Sequence, residues 1–489
     1  MATMSHDTWA FYGRRVELDE LREILRRKRW FFLKVSGRRR IGKTSLVQQA
    51  LQAEGRDKIL YIQIPDSDPA GVVSAACDFY ALFGIEAAPP VDLRSLAASI
   101  GDLVRRGYVV AVDEFQYFHR KALFEFTSHL QFEVDRLAAD AAEVRGGLIV
   151  LGSIHTEMEA LLEDRSAPLF ARLTHALDVP HLDIASVLEI LRAHAEPTAE
   201  RLLFLWNLFE GVPKFYRDAY EEKVLSADRN ELVRELFFSS SSPLRGEAEN
   251  WFLRELRGRY DLVLKYIARH PGCTNGEIHA HARSVAAGRE KQVGGYLKVL
   301  RDRYRMVDQL QPVFAKATAR NGRYYISDNF LRSWLAALAT PAASVNFRPL
   351  EALVREADDR LADAEGHGLE QLVGALYEER SRKGLDGFCL TQRVQGFWDR
   401  GDTEIDLVAL NEEERIVRLG ICKRAAERLA PDYPRFDAHV ARFLDRVERV
   451  RGWRVERAAI ATRHSPRTRE AAERAGYIPQ DLDELTAGL

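Results

Sequence analysis

The stretch FFLKVSGRRRIGKTSLVQQAL, Phe31 to Leu51, decides how this chain is read. Phe31 to Val35 is an apolar run of strand length. Gly37-x-x-x-x-Gly42-Lys43-Thr44 follows, and then a helical pattern through Leu46, Val47 and Leu51. Strand, glycine-rich loop and helix, in that order, is the setting of a phosphate-binding P-loop. The backbone from Gly37 through Arg38, Arg39, Arg40, Ile41, Gly42, Lys43 and Thr44 to Ser45 would curl its N–H groups around a phosphate, and the helix N-terminus adds a favourable dipole. Lys43 is placed to neutralise β- and γ-phosphates, and the Thr44 hydroxyl to hold Mg²⁺. ATP with Mg²⁺ is the expected ligand pair.

A P-loop needs a further acid for its metal, and GYVVAVDEFQYF supplies one. Tyr108 to Val112 reads as a buried strand ending at Asp113, which would hold Mg²⁺ through water. Glu114 is next in line to polarise an attacking water. A third apolar run, Leu148 to Leu151, ends at Gly152-Ser153, where Ser153 would sense a γ-phosphate or position the water. KILYIQI (58–64) and ALDVPHL (176–182) complete five strands alternating with helices, which implies a parallel sheet covered on both faces.

Further motifs carry a resemblance. FYGRRVELDELREIL, with Gly13-Arg14 and Glu17-Leu18, resembles the Gly-Arg-x-x-Glu-Leu segment that precedes the P-loop in the signal-transduction ATPases with numerous domains. SAPLFARLT (166–174) resembles that superfamily's Pro-Leu-Tyr-x-Arg-Arg-Thr segment, and EGVPKFY (210–216) its Gly-x-Pro motif. Within the superfamily the chain is similar to the archaeal-type ATPase group. The resemblance implies that Pro213 packs near the adenine, that Arg172 faces the phosphates, and that Gly13 and Arg14 approach the nucleotide. The chain departs from the pattern at Arg172-Leu173, where two basic residues are common, and for Arg14 a structural salt bridge is an equal alternative.

Net charge is −2, but Arg257 to Leu335 holds 15 Lys/Arg against 6 Asp/Glu. A local basic surplus suits a polyanion. The pattern there is helical from Arg257, broken at Pro271-Gly272, then a capping box at Thr274 and Glu277. A third helix follows, and two β-prone runs flank a basic glycine turn. Three helices and a wing make a winged helix–turn–helix. Its third helix would offer Arg289, Lys291, Gln292 and Lys298 to double-stranded DNA. The alternative is a lever packed on the nucleotide domain, with the arginines merely solvated.

RYYISDNFLRSWLAAL resembles the boundary that joins these ATPases to a further domain, and ATPAASVNFRP (339–349) reads as the linker. Beyond it, a helix opening at Gly368, strands at FCLTQRV, EIDLVAL and ERIVRLGIC, a helix, a strand and a helix resemble the restriction-endonuclease-like fold. The resemblance implies a metal site of Glu370, Asp406 and a Glu-x-Lys ending at Lys423. Ile421 stands where that Glu belongs, and an alkyl group cannot ligate a hard cation. Glu404, two residues before Asp406 on the same strand face, is the available replacement. A nuclease-derived frame without cleavage is the favoured expectation.

The expected fold class is therefore multidomain α/β. It has a P-loop ATPase domain (1–185), a helical lid with the Gly-x-Pro motif (186–256), a winged helix (257–337) and a restriction-endonuclease-like domain (338–489). Scattered Cys77, Cys273, Cys389 and Cys422 argue against a disulfide framework or structural zinc. No apolar run approaches the roughly 20 residues of a membrane span, and MATMSHDTWAFYGRR has no signal core. These features predict a soluble cytoplasmic protein. Three functions stay open: an ATP-hydrolysing switch with a DNA or protein partner and nucleotide-dependent self-association, an ATP-driven DNA-processing nuclease, and a non-catalytic DNA-binding regulator that uses ATP as a ligand.

Overall fold

In the computed structural model the five apolar runs of the N-terminal part form one parallel sheet. The structure describes residues 9–247, 260–285, 290–316, 321–385, 387–399 and 401–489. The chain divides into two units, one of residues 13–181 and 212–214, the other of residues 9–12, 182–211 and 215–489.

The first unit runs α1 (Arg15–Arg26), β1 (Phe32–Ser36), α2 (Lys43–Ala53), β2 (Ile59–Gln63), α3 (Pro69–Leu82), α4 (Leu93–Arg105), β3 (Val109–Asp113), α5 (Glu125–Ala139), β4 (Gly147–Gly152), α6 (His155–Leu162) and β5 (His175–Asp178). Strand order is β2-β3-β4-β1-β5. Every residue of β1, β3 and β4 is buried. Such continuous apolar strands are what a sheet covered by helices on both faces requires. Phe32, Leu60, Val110, Val112, Leu148 and Val150 meet Ile100, Phe126 and Leu130 in the core. The order sets the C-terminal ends of β1, β4 and β3 side by side, and these ends carry the motif residues. The parallel P-loop sheet expected from the sequence is present.

The second unit begins with α7 (Ile184–His194) and α8 (Ala199–Phe209); α9 (Pro213–Glu221) and α10 (Arg229–Val233) follow. Next come α11 (Asp261–Arg269), β6 (Cys273–Thr274), α12 (Asn275–Val285), α13 (Glu290–Asp302), β7 (Val307–Leu310) and β8 (Arg323–Ile326). The last three strands form an antiparallel sheet in the order β6-β8-β7. The capping box at the start of α12 is formed: Thr274 N–H donates to Glu277 at 2.7 Å, and Glu277 N–H to Thr274 Oγ1 at 3.3 Å.

Three sequence expectations are corrected beyond this point. The linker 339–349 is partly helical: after α14 (Asn329–Ser333), α15 spans Ala339–Ala343, with Pro341 and Ala342 buried. The following helix does not open at Gly368. It is α16, Leu350–Lys383, 34 residues long, with Gly366 and Gly368 inside it. Gly368 is there because α8 comes close: a β-carbon on it would lie 2.4 Å from Asn207 Oδ1. Finally, FCLTQRV is not a strand. Leu390 N–H donates to Ser381 Oγ of α16 at 2.8 Å and Val394 N–H to Glu378 of α16 at 3.1 Å, while Thr391 N–H alone reaches a strand carbonyl, Leu410 O, at 2.9 Å. The strand forms just after, as β9 (Gln395–Trp398).

The C-terminal sheet adds β10 (Glu404–Asn411), β11 (Ile416–Lys423), α17 (Leu429–Arg446), β12 (Arg454–Ala461), α18 (Pro466–Arg474), β13 (Ile478–Asp481) and α19 (Leu482–Leu485). The sheet is mixed, in the order β13-β12-β11-β10-β9, antiparallel from β9 to β11 and parallel from β11 to β13. Among the described residues no helix is long and apolar enough to cross a membrane.

Candidate functional site

The P-loop is a tight loop between β1 and α2, and its backbone explains its residues. Gly37 sits at φ 152°, where a β-carbon would come within 2.7 Å of Val179 O. Gly42 caps α2 at φ 91°. Arg14, Arg40 and Glu114 take left-handed conformations at φ 61°, 65° and 56°. Non-glycine residues held there cost roughly 1–3 kcal/mol each and cluster at functional sites.

Lys43 is buried, with 6% exposure. Its ammonium donates to Gly37 O at 3.0 Å, Arg38 O at 3.1 Å and Ser153 Oγ at 3.0 Å. Burial pushes its pKa down to about 8, against the opposing pull of Asp113 and Glu114. The loop is thus closed around a cation held by carbonyls, and a phosphate would offer that cation better acceptors.

Thr44 Oγ1 donates to Asp113 Oδ2 at 2.6 Å, and the Tyr61 hydroxyl donates to the same oxygen at 2.8 Å. Burial and the neighbouring Asp113 raise the Tyr61 pKa strongly, so the phenol stays a donor. Glu114 N–H donates to Asp113 Oδ1 at 2.7 Å. The Thr44 hydroxyl and the Asp113 carboxylate are hard oxygen donors at the mouth of a phosphate loop, a donor set that fits Mg²⁺. Gln116 Nε2 donates to Glu114 Oε2, and Ser153 N–H donates to Gln116 Oε1 at 3.3 Å.

Two of these residues, Tyr61 and Gln116, escape a reading of the sequence. Tyr61 is one aromatic among the β-prone residues of its strand. Gln116 becomes significant once β3 and β4 are known to be neighbours.

Other expected residues fall as follows. Arg14 is buried, pairs with Glu17 at 3.5 Å and donates to Ile41 O at 3.1 Å, so it braces the P-loop from behind. Pro213 packs on the loop: a β-carbon on Gly42 would be 3.7 Å from its ring. Arg39 and Ser45 are exposed. Arg172 is committed elsewhere, to Asp135 of α5 at 2.7 and 3.0 Å, so its expected phosphate-facing role gives way to a salt bridge.

The C-terminal sheet gathers the other expected cluster differently from the sequence reading. Val417, Leu419 and Ile421 of β11 point into the apolar cluster beneath α17, with Ile405, Val408 and Leu410 of β10. Lys423 follows Ile421 to that side and pairs with Asp432 of α17 at 3.2 Å. Arg418 lies over the Tyr377 ring of α16, 5.7 Å from its centroid. Cys422 shares the parity of Arg418 and therefore faces α16. A bulge between Ile405 and Val408 turns Asp406 and Leu407 to the same side. Ile421 thus packs in the apolar cluster rather than beside Asp406, while Lys423, paired with Asp432, still acts electrostatically on both Asp406 and Glu370. On the face of Asp406 the neighbour is Cys422, whose N–H donates to Asp406 Oδ2 at 2.9 Å.

Glu370 of α16 joins Asp406 in this crevice. Its side chain keeps 36% exposure, yet desolvation and then the charge of Glu404 push its pKa up to about 7. Desolvation and Glu370 likewise raise Asp406 to about 7. Glu404 pairs with Arg323 of β8, and its charge also reaches Glu370 and Asp406. Among the described residues no three or more His, Cys, Asp or Glu side chains are grouped to hold a metal.

The hairpin β7–β8 is fixed to this sheet. Arg323 lies over the Trp398 ring at 4.8 Å, Trp398 Nε1 donates to Asn321 O at 2.7 Å, and Val313 N–H donates to Gly396 O at 3.0 Å. On α13, Gln292 and Lys298 are exposed, while Val293, Leu297 and Leu300 are buried. Arg289 and the side chain of Lys291 lie outside the described residues.

No family model matches the chain. An uncharacterized protein of Methanocaldococcus jannaschii is 23% identical over 421 residues, covering 83% of this chain and 85% of that protein. Among solved structures, the chain is similar to a Walker-type ATPase of Pyrococcus abyssi, with TM-score 0.49 and 18% identity over 66% of this chain and 96% of that one. It is also similar to the ORC2 protein of Aeropyrum pernix, solved with ADPNP and ADP, with TM-score 0.45 and 15% identity over 73% of this chain and 97% of that one. At such distances, activity and partners have to be argued from this chain's own residues.

Proposed function

We propose that the chain is an ATP-binding, Mg²⁺-dependent ATPase that works as a molecular switch of the signal-transduction ATPase kind. The observation that carries this reading is the meeting of Lys43, Thr44, Asp113, Glu114 and Ser153 at the adjoining ends of β1, β3 and β4. Lys43 would leave its carbonyl partners for the β- and γ-phosphates. Thr44 and Asp113 would hold Mg²⁺, which when bound supplies charge stabilisation at the phosphoryl oxygens. Glu114 would orient and deprotonate the attacking water, and Ser153 would contact the γ-phosphate.

The basic block 257–335 supports a second property of the same switch: winged-helix binding of double-stranded DNA through the exposed side of α13, with Gln292 and Lys298. Affinity falling steeply with salt would support it. The nuclease alternative lacks the Glu of a Glu-x-Lys: Ile421 stands in that place and packs in the apolar cluster beneath α17.

Purified protein would be assayed for Mg²⁺-dependent ATP hydrolysis beside Lys43→Ala and Glu114→Gln. Turnover well above both variants is expected. Turnover no greater than theirs overturns the hydrolytic reading, and unchanged nucleotide affinity in Lys43→Ala overturns the binding reading.

A further inference from the structure

Gln116 is an amide buried among apolar groups. It has 2% exposure in the short turn Phe115–His119 after β3, where its neighbours Phe115 and Phe118 are fully buried. Gly152 of β4 lies directly over it: a β-carbon there would be 2.9 Å from Gln116 Oε1 and 2.2 Å from Met158 Sδ. An unpaired amide in such a place costs roughly 1–3 kcal/mol, so its polarity has to be spent on partners.

Both partners belong to the site. The carboxylate of Glu114 can only accept and the N–H of Ser153 can only donate, so the orientation of the amide is fixed by chemistry. Nε2 serves Glu114 Oε2 and Oε1 serves Ser153 N–H. Ser153 Oγ in turn accepts from Lys43. One side chain thus links the residue expected to activate water, the strand end expected to read the γ-phosphate, and through it the P-loop lysine.

We propose that Gln116 is a positioning residue for phosphoryl transfer, holding the Glu114 carboxylate in register with the Ser153 end of β4. The role rests on the ATPase reading above. With Oε2 pinned by the amide, Oε1 of Glu114 is the oxygen left to address a water in line with the phosphate. The left-handed backbone of Glu114, φ 56°, swings its side chain toward this bridge. A water held about 1 Å out of line can cost on the order of a hundredfold in rate, so a single hydrogen bond to the carboxylate has a kinetic consequence.

The test uses the full chain. Steady-state ATP hydrolysis and equilibrium binding of a fluorescent ATP analogue are measured for wild type, Gln116→Met, Glu114→Gln and the double variant. Met fills the amide's volume without its hydrogen bonds. The expected result is a kcat about tenfold lower or more in Gln116→Met, as for other lost orienting contacts, with KM and Kd changed less than about twofold. Because Gln116 acts through Glu114, adding Gln116→Met to Glu114→Gln lowers single-turnover rates no further.

Wild-type kcat in Gln116→Met, or an equal fold loss in both backgrounds, overturns the proposal. If Gln116→Met melts early, Gln116→Asn, whose amide is one methylene shorter and reaches just one partner, serves in its place and is expected to be slowed with Kd unchanged. A wild type with no turnover above Lys43→Ala overturns the ATPase reading and this role together. A wild type that turns over while Gln116→Met matches it overturns the role alone.

Discussion

Thr44 Oγ1 and Asp113 Oδ2 lie 2.6 Å apart, although 69 residues separate them in the chain. The sheet order brings them together: β4 lies between β1 and β3, so the loop after β1 reaches across to the end of β3. Both groups are oxygen donors suited to a hard cation, and Tyr61 supports the carboxylate from β2. Thr44→Ala is expected to lower hydrolysis and to raise the Mg²⁺ concentration needed for half-maximal rate about tenfold. Tyr61→Phe should do the same more weakly, as loss of one supporting contact to a ligand. Mg²⁺ titrations of the ATPase rate check both, and an unshifted midpoint in Thr44→Ala counts against its metal role.

Lys43 adds a pH dependence with a definite sign. Its pKa in the free protein is held down to about 8 by burial, with Asp113 and Glu114 pulling the other way and Arg39 adding to the fall. A bound triphosphate favours the ammonium form, so binding takes up a proton wherever the free protein has lost one. ATP affinity should be flat below pH 8 and weaken above it, by up to about tenfold per pH unit. Lys43→Arg, which stays charged throughout, should flatten the profile whatever its absolute affinity. Calorimetry in buffers of different ionisation enthalpy would show the proton uptake.

What could be read ahead of the structure follows the range of the interactions. The P-loop, Asp113, Glu114 and Ser153 are legible because each signal lies within one strand–turn unit. Gln116 and Tyr61 acquire meaning through tertiary neighbours, so spacing alone does not find them. Gly368 reads as a helix start because glycine disfavours helix interiors; the approach of Asn207 overrides that preference. The face of Asp406 depends on a one-residue bulge, and a one-residue change sends a side chain to the other side of its sheet.

Gly294 and Gly295 of α13 should respond to alanine oppositely to Gly368 of α16. Gly294 and Gly295 have nothing within 4 Å of an added β-carbon, so alanine there should stabilise the helix by roughly 0.5–1 kcal/mol. Gly368→Ala drives a methyl into Asn207, whose Oδ1 also holds Arg332 at 2.7 Å, and should destabilise by about 1–3 kcal/mol. Urea midpoints of the full chain give the order of the variants even where unfolding is not two-state.

The Arg323–Glu404 pair predicts how firmly the β7–β8 hairpin is held. Arg323→Glu sets two carboxylates against each other and removes the cation from the Trp398 ring. Amide exchange around Val313 should quicken severalfold, consistent with a partly exposed pair and a cation–π contact worth about 1 kcal/mol together. Glu404→Arg in the same chain restores opposite charges and should recover part of the protection. Equal exchange in all three proteins would mean the hairpin is held by Trp398 and Val313 alone.

The sharpest test of the C-terminal sheet concerns Ile421. By sequence alone, Ile421→Glu would complete a Glu-x-Lys and revive metal-dependent cleavage. In the structure Ile421 is 5% exposed and packs in the apolar cluster with Val408 and Leu419, on the side of α17. A carboxylate there is buried without a partner, so the variant should lose about 3 kcal/mol or more of stability and gain no nuclease activity. Cys422→Glu instead places another carboxyl beside Asp406 and Glu370, two groups already raised to about 7 by burial and by neighbouring carboxylates. Added Mn²⁺ should raise the melting temperature of Cys422→Glu more than that of wild type, and leave Ile421→Glu unchanged. Plasmid cleavage by Ile421→Glu that disappears in Asp406→Ala would show that the two residues share a face after all, and would return the nuclease reading to this domain.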